Sequence, residues 1–168
     1  MKQDKGICMA ASKQQEQKWK LLVIADETPE FKKVLRLAAL RAVKVNGAIV
    51  MLRIIQPSEF QHWTSVREIM EQEAVQEAEV MLDGFSREIK QLSGLDCEKV
   101  IRVGEAGDVI TEYISEDREI HLLVLGANVN GDPGPLVKAF REKLLNVLHM
   151  PVLVVPGNMT DEEIDRFV

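Results

Sequence analysis

Five short apolar runs alternate along the chain with longer segments in which apolar residues recur at helical spacing. The runs occupy residues 21–24, 48–55, 97–103, 122–125 and 152–155. Four of them are apolar at nearly every position, which is typical of strands covered on both faces, because such strands lose the polar alternation of half-exposed ones. The third run alternates more, and we therefore expect it nearer an edge of the sheet.

The segments between the runs predict helices. The first begins at Thr28-Pro29-Glu30, a favourable helix start, and ends at Asn46-Gly47. Further helices are predicted at 65–93, in a short segment with Asp108 as its N-cap, and at 135–149. Parallel strands need crossover connections, so this alternation predicts an α/β fold: a five-stranded parallel doubly wound sheet with helices on both faces.

The two ends of the chain differ from the part between them. Residues 1–18 lack periodicity and are mostly polar, which predicts a mobile tail. We expect one α/β domain over residues 19–157, followed by a C-terminal extension at 158–168. In that extension Thr160 and Glu163 match the capping box that begins many helices, which predicts a final short helix.

Composition excludes several classes of protein. A net charge of -6 over 168 residues argues against nucleic-acid binding, which needs clustered Lys and Arg. No apolar run approaches the roughly 20 residues that a membrane span requires. Cys8 and Cys97 have no metal-ligand spacing, and reduced thiols in a cytoplasmic protein are expected. The nucleophile elbow, the P-loop and the dinucleotide fingerprint are all missing from the sequence, so we do not expect an enzyme.

The loop that follows the fourth run is the first candidate site. Gly126 opens it and Gly131 lies within it, ahead of the helix predicted from residue 135. Backbone N–H groups of such a loop can bind phosphate, but Asn-Gly and Pro-Gly are also ordinary turn residues. Asp132 opposes phosphate by its charge, whereas Lys138 favours it. The residues leave the two alternatives open.

Asp26, at the end of the first run, is the second candidate. Ligands of open α/β sheets sit at the carboxyl ends of the strands, where Asp26 and Gly126 would flank one cleft. Asp26 could accept hydrogen bonds from a ribose or a base. Alternatively, it forms a local turn before Pro29.

Three fragments in this order resemble the universal stress protein family. They are KLLVIADETPEF from residue 20, RVGEAGDVITEYISEDREIHLLVLGA from residue 102, and KLLNVLHMPVLVVP from residue 143. The resemblance covers about residues 19–156. It implies the strand order 3-2-1-4-5 and a homodimer formed through the last strand, with Val152 and Val154 in the interface. A dimer there would cover an apolar sheet edge that proteins seldom leave open.

Nucleotide-binding members of this family carry G-x2-G-x9-G-[ST] after the fourth strand. Gly126 matches the first glycine, but Val129 stands at the second. Counted back from Pro151, Lys138-Ala139 replaces the closing pair, and the loop is one residue shorter than the family pattern. The resemblance also implies that Asp26 lies at the adenosine end and Ile54 beside the base. Leu125 precedes the first glycine, as an apolar residue does in the family. The adenosine half is thus partly retained, while the phosphate half is altered.

Two functions follow from this mixture. The first is a stress-response dimer that acts as a regulatory interaction module for an unknown protein partner, without tightly bound ATP. The second is an adenine-nucleotide switch in which Lys138 supplies by its charge what the missing backbone contacts would have given, because Lys can bind phosphate as a point charge. No cofactor is required by the first function, and ATP or AMP is the candidate ligand of the second.

Overall fold

A computed structural model describes residues 19–57 and 64–168, the side chains of 64–67 excepted. The strands are β1 (Lys20–Ile24), β2 (Ala48–Ile55), β3 (Cys97–Val103), β4 (Ile120–Ala127) and β5 (Val152–Pro156). The helices are α1 (Pro29–Lys44), α2 (Thr64–Ser93), α3 (Ala106–Glu116), α4 (Pro135–Glu142) and α5 (Asp161–Phe167), with a 3-10 turn at Leu144–Asn146. The predicted tail at 1–18 lies outside the described residues.

The strands form one sheet in the order β3-β2-β1-β4-β5. Each neighbouring pair is parallel, with Val23 opposite Met51 on β2 and Val124 on β4. The predicted fold class and strand order are therefore confirmed, and the alternating third strand does lie at an edge. Because β1 and β4 are neighbours whose connections leave in opposite directions along the sheet, their carboxyl ends mark the crevice where ligands of such folds bind.

Successive side chains of the central strands point to opposite faces of the sheet and pack into two separate cores. On one face Leu21, Val23 and Met51 pack with α1, α2 and α5. On the other face Leu22, Ile24 and Leu123 pack with α3 and the region of α4. These strand residues are at most 4% exposed, which explains why the central strands carry no polar alternation.

Two predictions about helices were wrong. The helix predicted at 135–149 ends at Glu142, and the chain continues through the 3-10 turn, where Leu144 is buried. Apolar spacing extends past the true end because the residues after it still pack on the same core. The short helix begins earlier than predicted, since Glu105 rather than Asp108 is its N-cap and accepts from the N–H groups of Gly107 and Asp108.

The C-terminal extension forms α5, which packs against α1. The predicted capping box is present, with Thr160 and Glu163 each accepting from the other's backbone N–H. Ile164 is fully buried in the core beneath α1 and β5. Arg36 of α1 holds Asp165 through two hydrogen bonds of 3.0 and 2.8 Å. This helix therefore adds to the α1 layer of the domain.

Candidate functional site

The carboxyl ends of β1 and β4 enclose a small cavity of about 150 Å³. Asp26 and Gly126, the two flanks predicted from the sequence, both line it. The remaining lining comes from the start of α1, the loop after β4 and the start of α4: Thr28, Glu30, Asn128, Asp132, Pro133, Gly134, Pro135 and Leu136. The charged residues of this lining are three carboxylates, so the cavity favours a neutral or cationic group over an anion.

Asp26 forms a local turn just before the N-terminus of α1. Its Oδ1 accepts a 2.9 Å hydrogen bond from the Thr28 N–H and another from the Thr28 hydroxyl. This is the local alternative that the sequence left open. Since the Thr28 hydroxyl is engaged there, the first turn of α1 receives no side-chain cap, although Thr28 holds the N-cap position. One carboxylate oxygen of Asp26 is thus committed to the chain itself.

Gly126 is required by the packing of α1 on β4. A methyl group at this position would lie 3.1 Å from Cβ of Glu30 and 3.2 Å from Cγ2 of Val34, closer than most side-chain contacts. The glycine therefore lets α1 approach the end of β4, and its presence has a structural cause that does not involve a ligand. Gly157, beyond β5, is pressed in the same way against Glu30, since a methyl group there would collide with Cγ of that side chain.

Asp132, in the loop before α4, accepts from two nearby donors. Asp132 accepts a 2.9 Å hydrogen bond from the Gly134 N–H through Oδ1 and an ion-pair hydrogen bond from Lys138 through Oδ2. The Lys138 ammonium and the Gly134 N–H hold the pKa of Asp132 below its ordinary value. Both side chains are largely exposed to water. The cation predicted to meet phosphate therefore already has a carboxylate partner from the same loop.

The other predicted site residues lie outside the lining of this cavity. Leu125 is 1% exposed and belongs to the core on the α3 face, against which Ile54 also packs. Gly131 lies on the exposed loop with a φ of 109°, which a residue with a side chain rarely adopts. Thr28 and Glu30 were not predicted as cavity residues, although their position directly after β1 was the available signal.

Neither a metal centre nor a membrane span is present in the described ranges. No group of three or more His, Cys, Asp or Glu side chains there is arranged to hold a metal ion. Among the same residues, no helix combines the length and the apolar character needed to cross a membrane.

Comparison with known proteins assigns the fold to a family. The sequence model of the universal stress protein family matches residues 19–156. The chain belongs to the universal stress protein family. A comparison with curated protein sequences found no significant match. The family match leaves α5 outside its limits, so this helix is an addition to the matched region.

Solved structures of the family share the fold at low sequence identity. The universal stress protein UspA from Lactobacillus plantarum is 18% identical, with a TM-score of 0.69, over 82% of this chain and 98% of that one. A universal stress protein in complex with cAMP is 18% identical, with a TM-score of 0.59, over 84% and 98%. A family protein from Arabidopsis thaliana with AMP bound is 18% identical, with a TM-score of 0.58, over 86% and 94%.

Proposed function

We propose that this chain is a stress-response dimer that works as a regulatory interaction module and does not hold ATP tightly. The observation that carries this proposal is the internal pairing of the loop before α4. The Asp132 carboxylate takes both the Gly134 N–H and the Lys138 ammonium, two donors that a phosphate would need. A bound phosphate would have to displace this carboxylate. The carboxylate belongs to the same chain, so it loses no translational or rotational freedom on binding, whereas a free phosphate does.

The size and charge of the cavity support the same proposal. Its volume of about 150 Å³ is below the roughly 300–1,000 Å³ of most small-molecule pockets. Asp26, Glu30 and Asp132 would all repel the phosphates of ATP. Binding would need Lys138 to be released and the loop to open.

Thermal unfolding with ATP, ADP and AMP, with and without magnesium, tests this part of the proposal. A ligand at one hundred times its Kd raises the free energy of unfolding by about 2.7 kcal/mol. At about 0.1 mM nucleotide this rise would correspond to a Kd of about 1 μM, and we expect no rise in Tm. A rise that depends on the adenine base would refute it.

The free edge of β5 supports the proposed dimer. β5 pairs with β4 on one side only and ends the sheet. Val154 is 37% exposed on this edge, and Val152 beside it is half-buried. Leu145 and Val147, just before β5, are 59% and 49% exposed. Pairing with β5 of a second copy would cover the unpaired backbone groups and add apolar contact area.

Sedimentation of Val154→Lys tests the dimer. Two lysines would face each other across the two-fold axis, so we expect the variant to be monomeric at concentrations where the wild type is dimeric. Val103→Lys is the matched control, because Val103 is similarly exposed, at 40%, on the opposite edge strand. A Val154→Lys protein that remains dimeric would exclude this interface.

A second candidate function is the adenine-nucleotide switch with Lys138. Solved relatives hold AMP and cAMP, and Lys138 would reach a phosphate if it left Asp132. The double variant Lys138→Gly with Ala139→Ser restores the closing pair of the family pattern. Gain of AMP or ATP binding in this variant would show that the altered pair is the obstacle and that Lys138 is not the phosphate ligand. If it stays inert, the shortened loop is the obstacle.

A further inference from the structure

Arg53 is a charged residue in the part of the sheet where charge is otherwise excluded. It lies near the carboxyl end of β2, and strand alternation directs its side chain to the same face as Ile49 and Met51. One terminal nitrogen donates to the Ala25 carbonyl at 3.4 Å, the upper limit of a hydrogen bond. Its Nε is buried and has no hydrogen-bond partner among the described residues.

The other arginines with described side chains are treated differently. Arg36, which is also half-buried, donates two hydrogen bonds to Asp165. Arg102 and Arg141 are exposed and still have carboxylate partners, in Glu116 and Glu142. The rest are exposed to water: Arg41, Arg87, Arg118 and Arg166. Within the described residues, Arg53 is thus the half-buried arginine that has no carboxylate.

This arrangement is unfavourable unless an anion completes it. A guanidinium stays charged at any ordinary pH, and a charge removed from water without a counter-ion is costly. Buried donors without partners are uncommon in folded proteins and usually have a specific cause. The first turn of helix α1, which follows β1, has no side-chain cap, but it already carries the carboxylate of Glu30 at the positive end of the helix dipole. The negative group at this edge of the sheet is therefore favoured by Arg53 and not by the helix start.

We propose that the carboxyl ends of β1 and β2 form a site for an oxyanion, the phosphate or carboxylate group of a small molecule, and that Arg53 is its ligand. Asp26 follows Ala25 on the same edge and opposes an anion by its charge, although its Oδ1 is held by Thr28. The planar fork of arginine can hold two oxygens of a phosphate or carboxylate at once. This site does not use Lys138 or the loop before α4, and it goes beyond the proposed function.

Thermal unfolding of variants at matched ionic strength tests the site. The probes are inorganic phosphate, AMP and citrate at 10 mM, with adenosine as the uncharged control. Phosphate and citrate stabilise many folded proteins without a specific site, so the comparison is between variants in the same buffer. At ten times Kd, wild type should gain about 3–6 °C more in Tm than Arg53→Met. The phosphate and citrate arms show which oxyanion is preferred, and adenosine should shift neither protein.

Two variants separate this site from other sources of a shift. Arg41→Met removes an exposed arginine of α1 and should respond like wild type. Lys138→Met should also respond like wild type, because the loop is not involved. An equal response in wild type and Arg53→Met, or a response lost in Lys138→Met instead, would overturn the inference. Neither outcome bears on the dimer, so failure here leaves the proposed module intact.

The ligand-free proteins and the guanidinium itself provide a second measurement. Without ligand, Arg53→Met should have a Tm equal to or above that of wild type, because Met keeps the apolar stem and removes a half-buried charge that has no counter-ion among the described residues. A fall of several degrees would show a structural role and overturn the inference.

The ¹⁵N resonance of Arg53 Nε–H should move on addition of phosphate. If phosphate leaves this resonance unchanged, whereas the substitution Glu59→Gln shifts it in the ligand-free protein, the Glu59 carboxylate is the partner of Arg53 and the proposed site is wrong.

Discussion

Helices α1 and α4 both begin at a proline beside the same cavity, yet they differ in how they are held. Helix α1 has sixteen residues, of which seven are buried, whereas α4 has eight residues and none is buried. The core contacts of α1 are apolar and extend to α2, β4 and α5, and Arg36 adds an ion pair with Asp165 of α5. The start of α4 is held by the exposed pair of Asp132 and Lys138 and by Leu136, which is only partly buried against the core on the α3 face. One side of the cavity is therefore built by fully buried residues, and the other by partly buried and polar contacts.

This difference separates what the fold requires from what a ligand would require. Gly126 is fixed by the approach of α1, so it is expected to persist whether or not a nucleotide binds. The loop and α4 contain no fully buried residue, so changes there should cost less stability than changes in α1. A phosphate-binding pattern on the α4 side can thus be lost while the fold is kept. Family membership therefore establishes the fold more firmly than it establishes nucleotide binding.

The largest expected effect is truncation of an aromatic residue on each side of the cavity. Phe31 of α1 is 2% exposed and packs edge-on against Phe85, with 4.7 Å between ring centroids. Phe31→Ala should lower the free energy of unfolding by about 3–5 kcal/mol. Phe140 of α4 is only partly buried, and Phe140→Ala should cost about 1–2 kcal/mol, because only part of its ring leaves water.

Urea denaturation of both variants measures this contrast. If unfolding is two-state, the urea concentration at the midpoint should fall for both variants, while the slope of the free energy of unfolding against urea concentration stays constant. Similar losses for Phe31→Ala and Phe140→Ala would mean that α4 is as firmly packed as α1, and the contrast between the two sides would be wrong.

A smaller effect is expected from a methyl group at Gly126. Gly126→Ala pushes against Cβ of Glu30 and Cγ2 of Val34, and overpacking of this kind costs about 1–3 kcal/mol. Gly84→Ala is the matched control: Gly84 lies inside α2, and a methyl there meets no atom within 4 Å. That variant should be stabilised by roughly 0.5–1 kcal/mol, because alanine favours a helix over glycine. Equal effects at the two positions would show that α1 is free to move away from β4.

The fold could be predicted from the sequence because burial leaves a strong pattern. The four continuous apolar runs, the helix start at Pro29 and the capping box at Thr160 all correspond to elements of the structure. The end of α4 was mispredicted, since Leu144 keeps the apolar spacing although the helix has stopped. Apolar periodicity records which residues face the core, and it does not record where the backbone changes from α-helix to 3-10 turn.

The cavity was predictable only in part. Strand topology was enough to bring Asp26 and Gly126 to one place. The hydrogen-bond partners of the other residues around the cavity were not predictable. The partner of an exposed polar side chain depends on the local three-dimensional geometry, which the sequence pattern does not record. In the sequence Asp132 and Lys138 are opposing influences on a phosphate, while in the structure they bind each other. The Nε of Arg53, which has no partner in the part of the chain that the structure describes, likewise becomes visible only once neighbouring strands are in place.

The smallest effect is expected in the titration of Asp132. Its pKa lies below the ordinary value of 3.8 chiefly because Lys138 donates to the carboxylate, with a further contribution from the Gly134 N–H. The charged pair is therefore complete above pH 3.8 and is lost as pH falls through the lowered pKa. In Lys138→Met the pKa of Asp132 should rise toward 3.8 but remain slightly below it, because Gly134 still donates.

Carboxyl ¹³C chemical shifts recorded between about pH 2 and 6 measure this change. Asp83, whose pKa is lowered by Lys99, should titrate identically in both proteins and serves as the internal control. If Asp132 already titrates near 3.8 in the wild type, the pair with Lys138 is not formed in solution. Lys138 would then be available to a phosphate, and the nucleotide switch would become the better supported of the two functions. A pKa of Asp132 that is lowered in the wild type and rises toward 3.8 in Lys138→Met would instead show that Lys138 is paired with Asp132 in solution.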